Sequence, residues 1–329
     1  MAPPSYHQGL KPHRNPSVER QKLFISALMK SVILAGGSGL IGTQLRQVLV
    51  QQGYHVRVLS RRAHPDQKNL EFGRWDPAQG ELHDAWIEEA DYIINLSGAG
   101  VADRRWTAAF KEELLTSRTE STKTLVEAVH RLRPDLEKFI NASAIGYYGY
   151  DRGDEILTEN AAPGDGFLAN LTRRWEAAAQ AYPDAERLAL MRIGIVLTPR
   201  GGALQKMLTP IRLGVGSPLA SGRQWLSWIH IEDLINMFIQ VMQDDQAHGP
   251  YNATAPMPER NRDFMKKLAR QLNRPFIFPN VPDWALQAAL GQFADTVIGG
   301  LRVLPVRMQE EAFSFKFPQL EGALKDLFD

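Results

Sequence analysis

The sequence predicts an α/β protein: a Rossmann doubly wound parallel sheet with a smaller, mostly helical C-terminal subdomain. Three observations carry this expectation. From Ser31 onward, short β-rich apolar runs alternate with longer stretches of helical period. The first run passes straight into a glycine-rich turn, Gly36-Gly37-Ser38-Gly39-Leu40-Ile41-Gly42, and then into a helix. Beyond Leu197 glycine and proline become frequent, and helical patterns dominate.

The elements follow in order. Residues 1–28 hold several prolines and basic residues, one acid (Glu19) and no periodic pattern. They are expected to be a disordered extension, with organelle targeting as the alternative. Their apolar stretch, Leu23 to Met29, is interrupted by Ser26 and too short for a signal-peptide core, and Met29 is an alternative start. Strands are expected at 31–35, 55–59, 92–96, 138–142 and 187–196, with helices near 40–52, 107–131 and 167–182. Leu40, Ile41, Leu45, Val48 and Leu49 form the apolar stripe of the first helix, and Gly53 ends it. This Rossmann domain is assigned to residues 29–200. The substrate subdomain, 201–329, has expected helices at 231–242, 261–272, 283–290 and 320–327.

Composition narrows the function. The 38 basic side chains are balanced by 37 acidic ones, so no basic surplus remains for nucleic acid or a membrane surface. Without cysteine, disulfides, thiolate metal sites and cysteine nucleophiles are excluded. No apolar run reaches bilayer length, and the histidines lack metal-ligand spacing, so a cytoplasmic protein without a metal is expected. No Gly-x-Ser-x-Gly elbow supports a hydrolase. A monomer or homodimer acting on a small molecule fits this composition.

The glycine turn carries the chemistry. Glycines let the backbone bend sharply and approach a pyrophosphate, while the following helix presents free N–H groups and its positive dipole end. The order strand, glycine turn, helix at Ser31 to Gly42 therefore predicts a nicotinamide dinucleotide site. The second strand ends in Ser60-Arg61-Arg62. NAD sites place an acid there for the ribose 2′-hydroxyl, whereas arginine suits a 2′-phosphate, so NADP(H) is favoured over NAD(H). Asp76 is either near the adenine or an ordinary turn residue.

The spacing Gly-x-x-Gly-x-x-Gly, with Asn95-Leu96-Ser97-Gly98 after the third strand, resembles the extended short-chain dehydrogenase/reductase superfamily. Further segments narrow the match: Arg104-Arg105-Trp106, Ser117-Arg118-Thr119, Asn141-Ala142-Ser143 running on to Tyr147-Tyr148-Gly149, Arg192-Ile193-Gly194, Trp228-Ile229-His230, Tyr251-Asn252-Ala253 and Arg307-Met308. Together, over residues 30–329, they resemble an atypical, epimerase-like branch with a C-terminal domain of unknown function, sometimes labelled cell-division-inhibitor homologues. The resemblance implies that Leu96, Ser97, Gly98, Ala99, Arg118, Asn141 and Ala142 join Gly36–Gly42, Ser60, Arg61 and Arg62 around the cofactor.

It also exposes a departure. Typical members use a Tyr-x-x-x-Lys pair, the tyrosine as general acid/base and the lysine to lower its pKa and grip the nicotinamide ribose. Here Phe167 and Leu171 stand at those positions, and neither moves a proton. Ser143, at the position the resemblance implies for the superfamily serine, and Tyr147 and Tyr148 remain as candidate proton carriers. Arg105 and Arg118 are candidates for an anionic substrate or cofactor phosphate. His230 and Asp233 are expected to serve structure, the aspartate capping or anchoring a helix. Two readings stay open: an NADP(H)-dependent oxidoreductase or epimerase on a small polar or sugar-like molecule, or a non-catalytic NADP(H)-binding redox sensor or regulator.

Overall fold

A computed structural model of the chain describes residues 29–62 and 64–329. The expected extension, 1–28, lies outside the described residues.

Seven parallel strands form the central sheet: β1 Ser31–Ala35, β2 His55–Ser60, β3 Leu70–Arg74, β4 Tyr92–Asn95, β5 Lys138–Ala144, β6 Leu188–Ile193 and β7 Gly249–Ala253. Their spatial order is β7-β6-β5-β4-β1-β2-β3. The order reverses at β1, between β4 and β2, which opens a crevice at the carboxyl ends of the strands, where such sheets bind ligands.

The central strands β1 and β4 are apolar and wholly buried because both faces are covered. In β1, Val32 and Leu34 belong to the core under helices α1 (Leu40–Gln51) and Ile231–Gln243, with Leu45, Leu49, Leu234 and Phe238. Ile33 and Ala35 point the other way, into the core made by Leu125, Val126 and Val129 of α2 (Ala108–Leu132) and Ala179 of α3 (Phe167–Gln180).

Three features depart from the sequence reading. The edge strand β3 was not foreseen; its alternation of Leu70 and Phe72 with polar residues is too short to stand out. The expected strand 187–196 divides at Gly194, where the chain leaves β6 and begins a small parallel pair, Ile195–Leu197 with Trp228–His230. A Cβ on Gly194 would lie 2.6 Å from the Ser227 carbonyl oxygen, so the close approach requires glycine. The division expected at residue 200 also does not coincide with the edge of the sheet: β7 comes from well beyond it, and its Pro250 is tolerated on an edge strand.

The remaining chain builds a third core. Leu204, Leu208 and Ile211 of α4 (Gly202–Arg212), Phe264 and Leu268 of Asn261–Gln271, and Leu320 and Leu324 of Leu320–Phe328 pack around Trp228. Two ties join the C-terminal part of the chain to the segment after β4: Lys206 Nζ donates to the Ala102 carbonyl at 2.6 Å, and Arg105 Nη2 to that of Ala288, in the helix Asp283–Leu290, at 3.2 Å.

Candidate functional site

The glycine turn forms a tight cradle. Gly36 has φ +76°, and a Cβ there would come within 2.7 Å of the Leu96 backbone. On Gly42 a Cβ would lie 2.5 Å from the Gly36 oxygen and 2.6 Å from the Gly37 Cα, so only hydrogen lets α1 pack down on the turn. Gly39 is the N-cap of α1 and supplies no side chain to its first amides, which leaves donors for an anion. Ser38 and Gly39 are exposed, and Leu40 and Ile41 half-buried. Arg46, which the sequence reading passed over, reaches back from α1 to donate to the Gly37 carbonyl at 3.2 Å and steadies the turn.

At the end of β2, Arg61 and Arg62 are exposed and have no ion-pair partner among the described residues. The buried Ser60 hydroxyl accepts the Arg62 backbone N–H at 3.2 Å, which shapes the loop. Asp76 sits in a turn, its backbone bridged to Glu81.

Beyond β4 the loop Leu96–Ala99 lies against Gly36. Its geometry is held from beneath: Asn95 Nδ2 donates to Asn141 Oδ1 at 2.8 Å and to Thr122 Oγ1 at 3.0 Å, while its Oδ1 accepts the Ser97 N–H at 3.1 Å. Asn141 is therefore a buried support under the loop, and Ala142, next to it in β5, is buried as well. The Ser97 Oγ is buried without a hydrogen-bond partner among the described residues. Glycine cradle, uncapped helix end, orphaned hydroxyl and unpaired arginines together form a donor set that suits a phosphorylated dinucleotide.

The candidate proton carriers fare differently. Ser143 is 2% exposed, and its hydroxyl donates to Glu176 Oε1 at 2.5 Å. Arg192 clasps the same carboxylate with Nε and Nη2, each at 2.9 Å, and its Nη1 donates to the Tyr148 hydroxyl at 2.9 Å. Tyr148 in turn donates toward Asn252 Oδ1 at 2.7 Å, and burial pushes its phenol up to about 12. Burial by itself would lower the Arg192 pKa, but the hydrogen bonds and charge of Glu176 outweigh it and hold it above the ordinary range. Ser143 and Tyr148 thus belong to a closed, buried network. Tyr147 is half-buried, its ring 3.6 Å from the Arg192 guanidinium, and its hydroxyl bonds nothing among the described residues. Sequence reading missed Glu176; the available signal was a glutamate on the core-facing stripe of α3, beside Leu171, Trp175 and Ala179.

Phe167 and Leu171 sit in an apolar cluster with Trp106, Phe110, Leu114, Leu115 and Phe293. Trp106 meets Phe167 edge-on at 5.0 Å and Phe293 at 5.5 Å. Hydrocarbon occupies the place of the expected acid/base pair. Arg118 lies alongside, 9% exposed.

His230 and Asp233 are structural. His230 Nδ1 accepts the Glu232 N–H at 3.2 Å and is itself the N-cap of Ile231–Gln243, the role the sequence suggested for Asp233. Asp233 instead receives the Lys316 and Phe317 amides, both at 2.9 Å, and pins the C-terminal segment. His230, Glu232 and Asp326 place ligand-type atoms within 4.8 Å of one another. Since Nδ1 is an acceptor, Nε2 holds the proton and offers no lone pair to an ion, and Glu232 is paired with Lys316 at 2.8 Å.

Comparison with known proteins places this geometry. Residues 32–254 match the NAD dependent epimerase/dehydratase family, and residues 281–327 match a domain of unknown function, DUF1731. An epimerase family protein of Staphylococcus epidermidis is 36% identical over 304 residues, 91% of this chain and 99% of the relative. One from Mycobacterium tuberculosis is 37% identical over 297 residues, 89% of this chain and 96% of the relative. The crystal structure of a human epimerase family protein with NADPH superposes with a TM-score of 0.81 at 33% identity, covering 90% of this chain and 98% of that one. Among the described residues no helix is long and apolar enough to cross a membrane. The chain belongs to the NAD-dependent epimerase/dehydratase family, with the Rossmann NAD(P)-binding fold.

Proposed function

We propose that this member of the epimerase family binds NADP(H) and is an oxidoreductase or epimerase on a small polar or sugar-like molecule, without the usual Tyr-x-x-x-Lys pair. The observation that carries the cofactor assignment is the pairing of the Gly36–Gly42 cradle with the unpaired Arg61 and Arg62 at the next strand end. The human relative's NADPH supports it. The amides of Ser38, Leu40 and Ile41 would hold the pyrophosphate, Gly39 N–H being already given to the Gly36 carbonyl, while Arg61 and Arg62 would hold the 2′-phosphate and Leu96 to Ala99 the nicotinamide side. Bound there, the cofactor supplies hydride. Of the three hydroxyls singled out, Tyr147 is the proton carrier, because Ser143 and Tyr148 are spent on the Glu176–Arg192 network. The apolar packing of Phe167 and Leu171 favours a second reading, a binder that senses or regulates without turnover.

Titration with NADPH by fluorescence and thermal shift tests the cofactor: no response to NADPH or NADH sinks both readings. A screen of carbonyl compounds and nucleotide sugars with the wild type and Tyr147→Phe tests the chemistry. Activity lost in Tyr147→Phe supports the enzyme reading, activity that survives overturns the role of Tyr147, and tight binding without any turnover favours the sensor.

A further inference from the structure

We infer that Arg118 takes over the place of the lysine missing at Leu171, as the cation facing the nicotinamide end of the cofactor, and that it makes the site prefer the reduced to the oxidised form. The inference rests on the cofactor assignment above and names a property of that same site.

Arg118 is a buried guanidinium with no carboxylate within ion-pairing distance among the described residues. Nη1 donates to the Leu114 carbonyl and Nη2 to that of Ala99, both at 2.9 Å. A guanidinium has five N–H donors, and two carbonyls leave its charge uncompensated. Burial draws its pKa down to about 10, the direction expected for a cation deprived of both water and counter-ion. Purely structural stitching of the Ala99 loop to α2 does not require a full charge there; a neutral donor serves that purpose at lower desolvation cost.

Its place in the fold says what the charge is for. The guanidinium lies 5.1 Å from the Trp175 ring, one helical turn beyond Leu171 on α3. Leu114, whose carbonyl Arg118 binds, packs with Leu171 in the same apolar cluster. The cation has therefore moved from α3 to the facing position on α2. A Cβ on Gly98 would lie 3.0 Å from the Arg118 Cζ, so the arginine sits against the Gly98 peptide. One residue earlier, the Ser97 amide lies 2.9 Å from where a Gly36 Cβ would be. The phosphate turn, the Leu96–Ala99 loop and Arg118 are thus contiguous, and that loop follows β4, on the other side of β1 from β2 and Arg61.

The oxidised nicotinamide ring carries a positive charge and the reduced ring none. A fixed, poorly screened cation beside it raises the energy of the oxidised complex. The 2′-phosphate and pyrophosphate are common to both forms, so their contributions cancel in the ratio of affinities.

Calorimetric titration of the full chain with NADPH and with NADP+ tests this. The wild type is expected to bind NADPH about tenfold or more tightly than NADP+. Arg118→Met and Arg118→Gln are expected to bring the two affinities within about twofold to threefold of each other, while Arg118→Lys keeps the preference. Equal affinities in the wild type, or an unchanged ratio in either folded neutral variant, overturn the inference. Circular dichroism and melting identify a variant that fails to fold, in which case the wild-type ratio and Arg118→Lys decide. Binding of neither form overturns the cofactor assignment itself, a result distinguishable from equal binding of both.

Discussion

Ser143 donates its hydroxyl proton to Glu176 across 2.5 Å inside the protein, on a carboxylate whose two oxygens are already held by Arg192. The serine expected to assist chemistry instead completes the shell of a buried charge. Removing one member of such a pair strands the other. Glu176→Gln is expected to cost about 3–5 kcal/mol of stability in urea denaturation, and Ser143→Ala about 1–3 kcal/mol. Ser143→Ala should leave NADPH affinity within about twofold of wild type. A loss of turnover in Ser143→Ala with unchanged stability would return the serine to the chemistry.

Restoring the missing pair should not restore the usual site. Leu171 is 3% exposed among Trp106, Phe110, Leu114 and Leu115. A lysine there loses packing and buries a charge without a partner. Phe167→Tyr/Leu171→Lys is expected to lose about 2–5 kcal/mol relative to wild type by chemical denaturation, chiefly from the lysine. Wild-type stability in the double variant would show that the cluster has room for the pair.

Cofactor choice should follow the second strand. Arg61→Ala is expected to weaken NADPH binding by about tenfold to a hundredfold while NADH binding changes little, since only NADPH has the 2′-phosphate. Equal losses for the two cofactors, measured by calorimetry, would place Arg61 elsewhere.

The glycine cradle makes a stringent prediction. In Gly42→Ala the added methyl meets the Gly36 oxygen and Gly37 Cα, so NADPH-induced fluorescence change and thermal stabilisation should disappear. Gly322→Ala is the control, because nothing lies within 4 Å of its Cβ position in the helix Leu320–Phe328. It should stabilise by about 0.5–1 kcal/mol and leave binding intact.

Acid should expose His230. Burial lowers its pKa below the ordinary 6.5, so the folded protein holds the neutral ring. Between the folded and unfolded values the unfolded chain binds more protons, and stability therefore rises with pH. The contribution is fully present above about pH 6.5 and is lost as pH falls through the folded value. Protonation also ends the acceptance of the Glu232 amide. Urea midpoints across pH 5 to 7.5 should fall less steeply toward acid in His230→Asn than in wild type (about pH 6.5 being where the curves part); parallel curves would exclude this source.

Much of the fold was legible because it rests on local periodicity. β1 and the helix Asp283–Leu290 fall where the pattern put them, and α1 ends at Gln51 with Gly53 close behind at φ +90°. β3 and β7 were not legible: an edge strand has one neighbour, needs little apolar sequence, and in β7 carries a proline. The break at Gly194 escaped for a different reason. It depends on contact with Ser227, far along the chain, and no window of residues reports that.

The same boundary runs through the site. The turn at Gly36 to Gly42 was determined by the sequence itself, because a strand, a glycine bend and a helix N-terminus are local and their chemistry follows from backbone geometry. The absence of the Tyr-x-x-x-Lys pair was equally plain at Phe167 and Leu171. Which of the surviving polar groups are free to act was decided only in three dimensions. Ser143, Glu176, Arg192 and Tyr148 come from separate elements, and burial together with mutual hydrogen bonding ties their polar groups to one another. Among the described residues Arg118 stays a charge without a counter-charge for the same kind of reason: whether a buried ion is compensated depends on what the fold brings beside it, and a sequence records the ion but not its company.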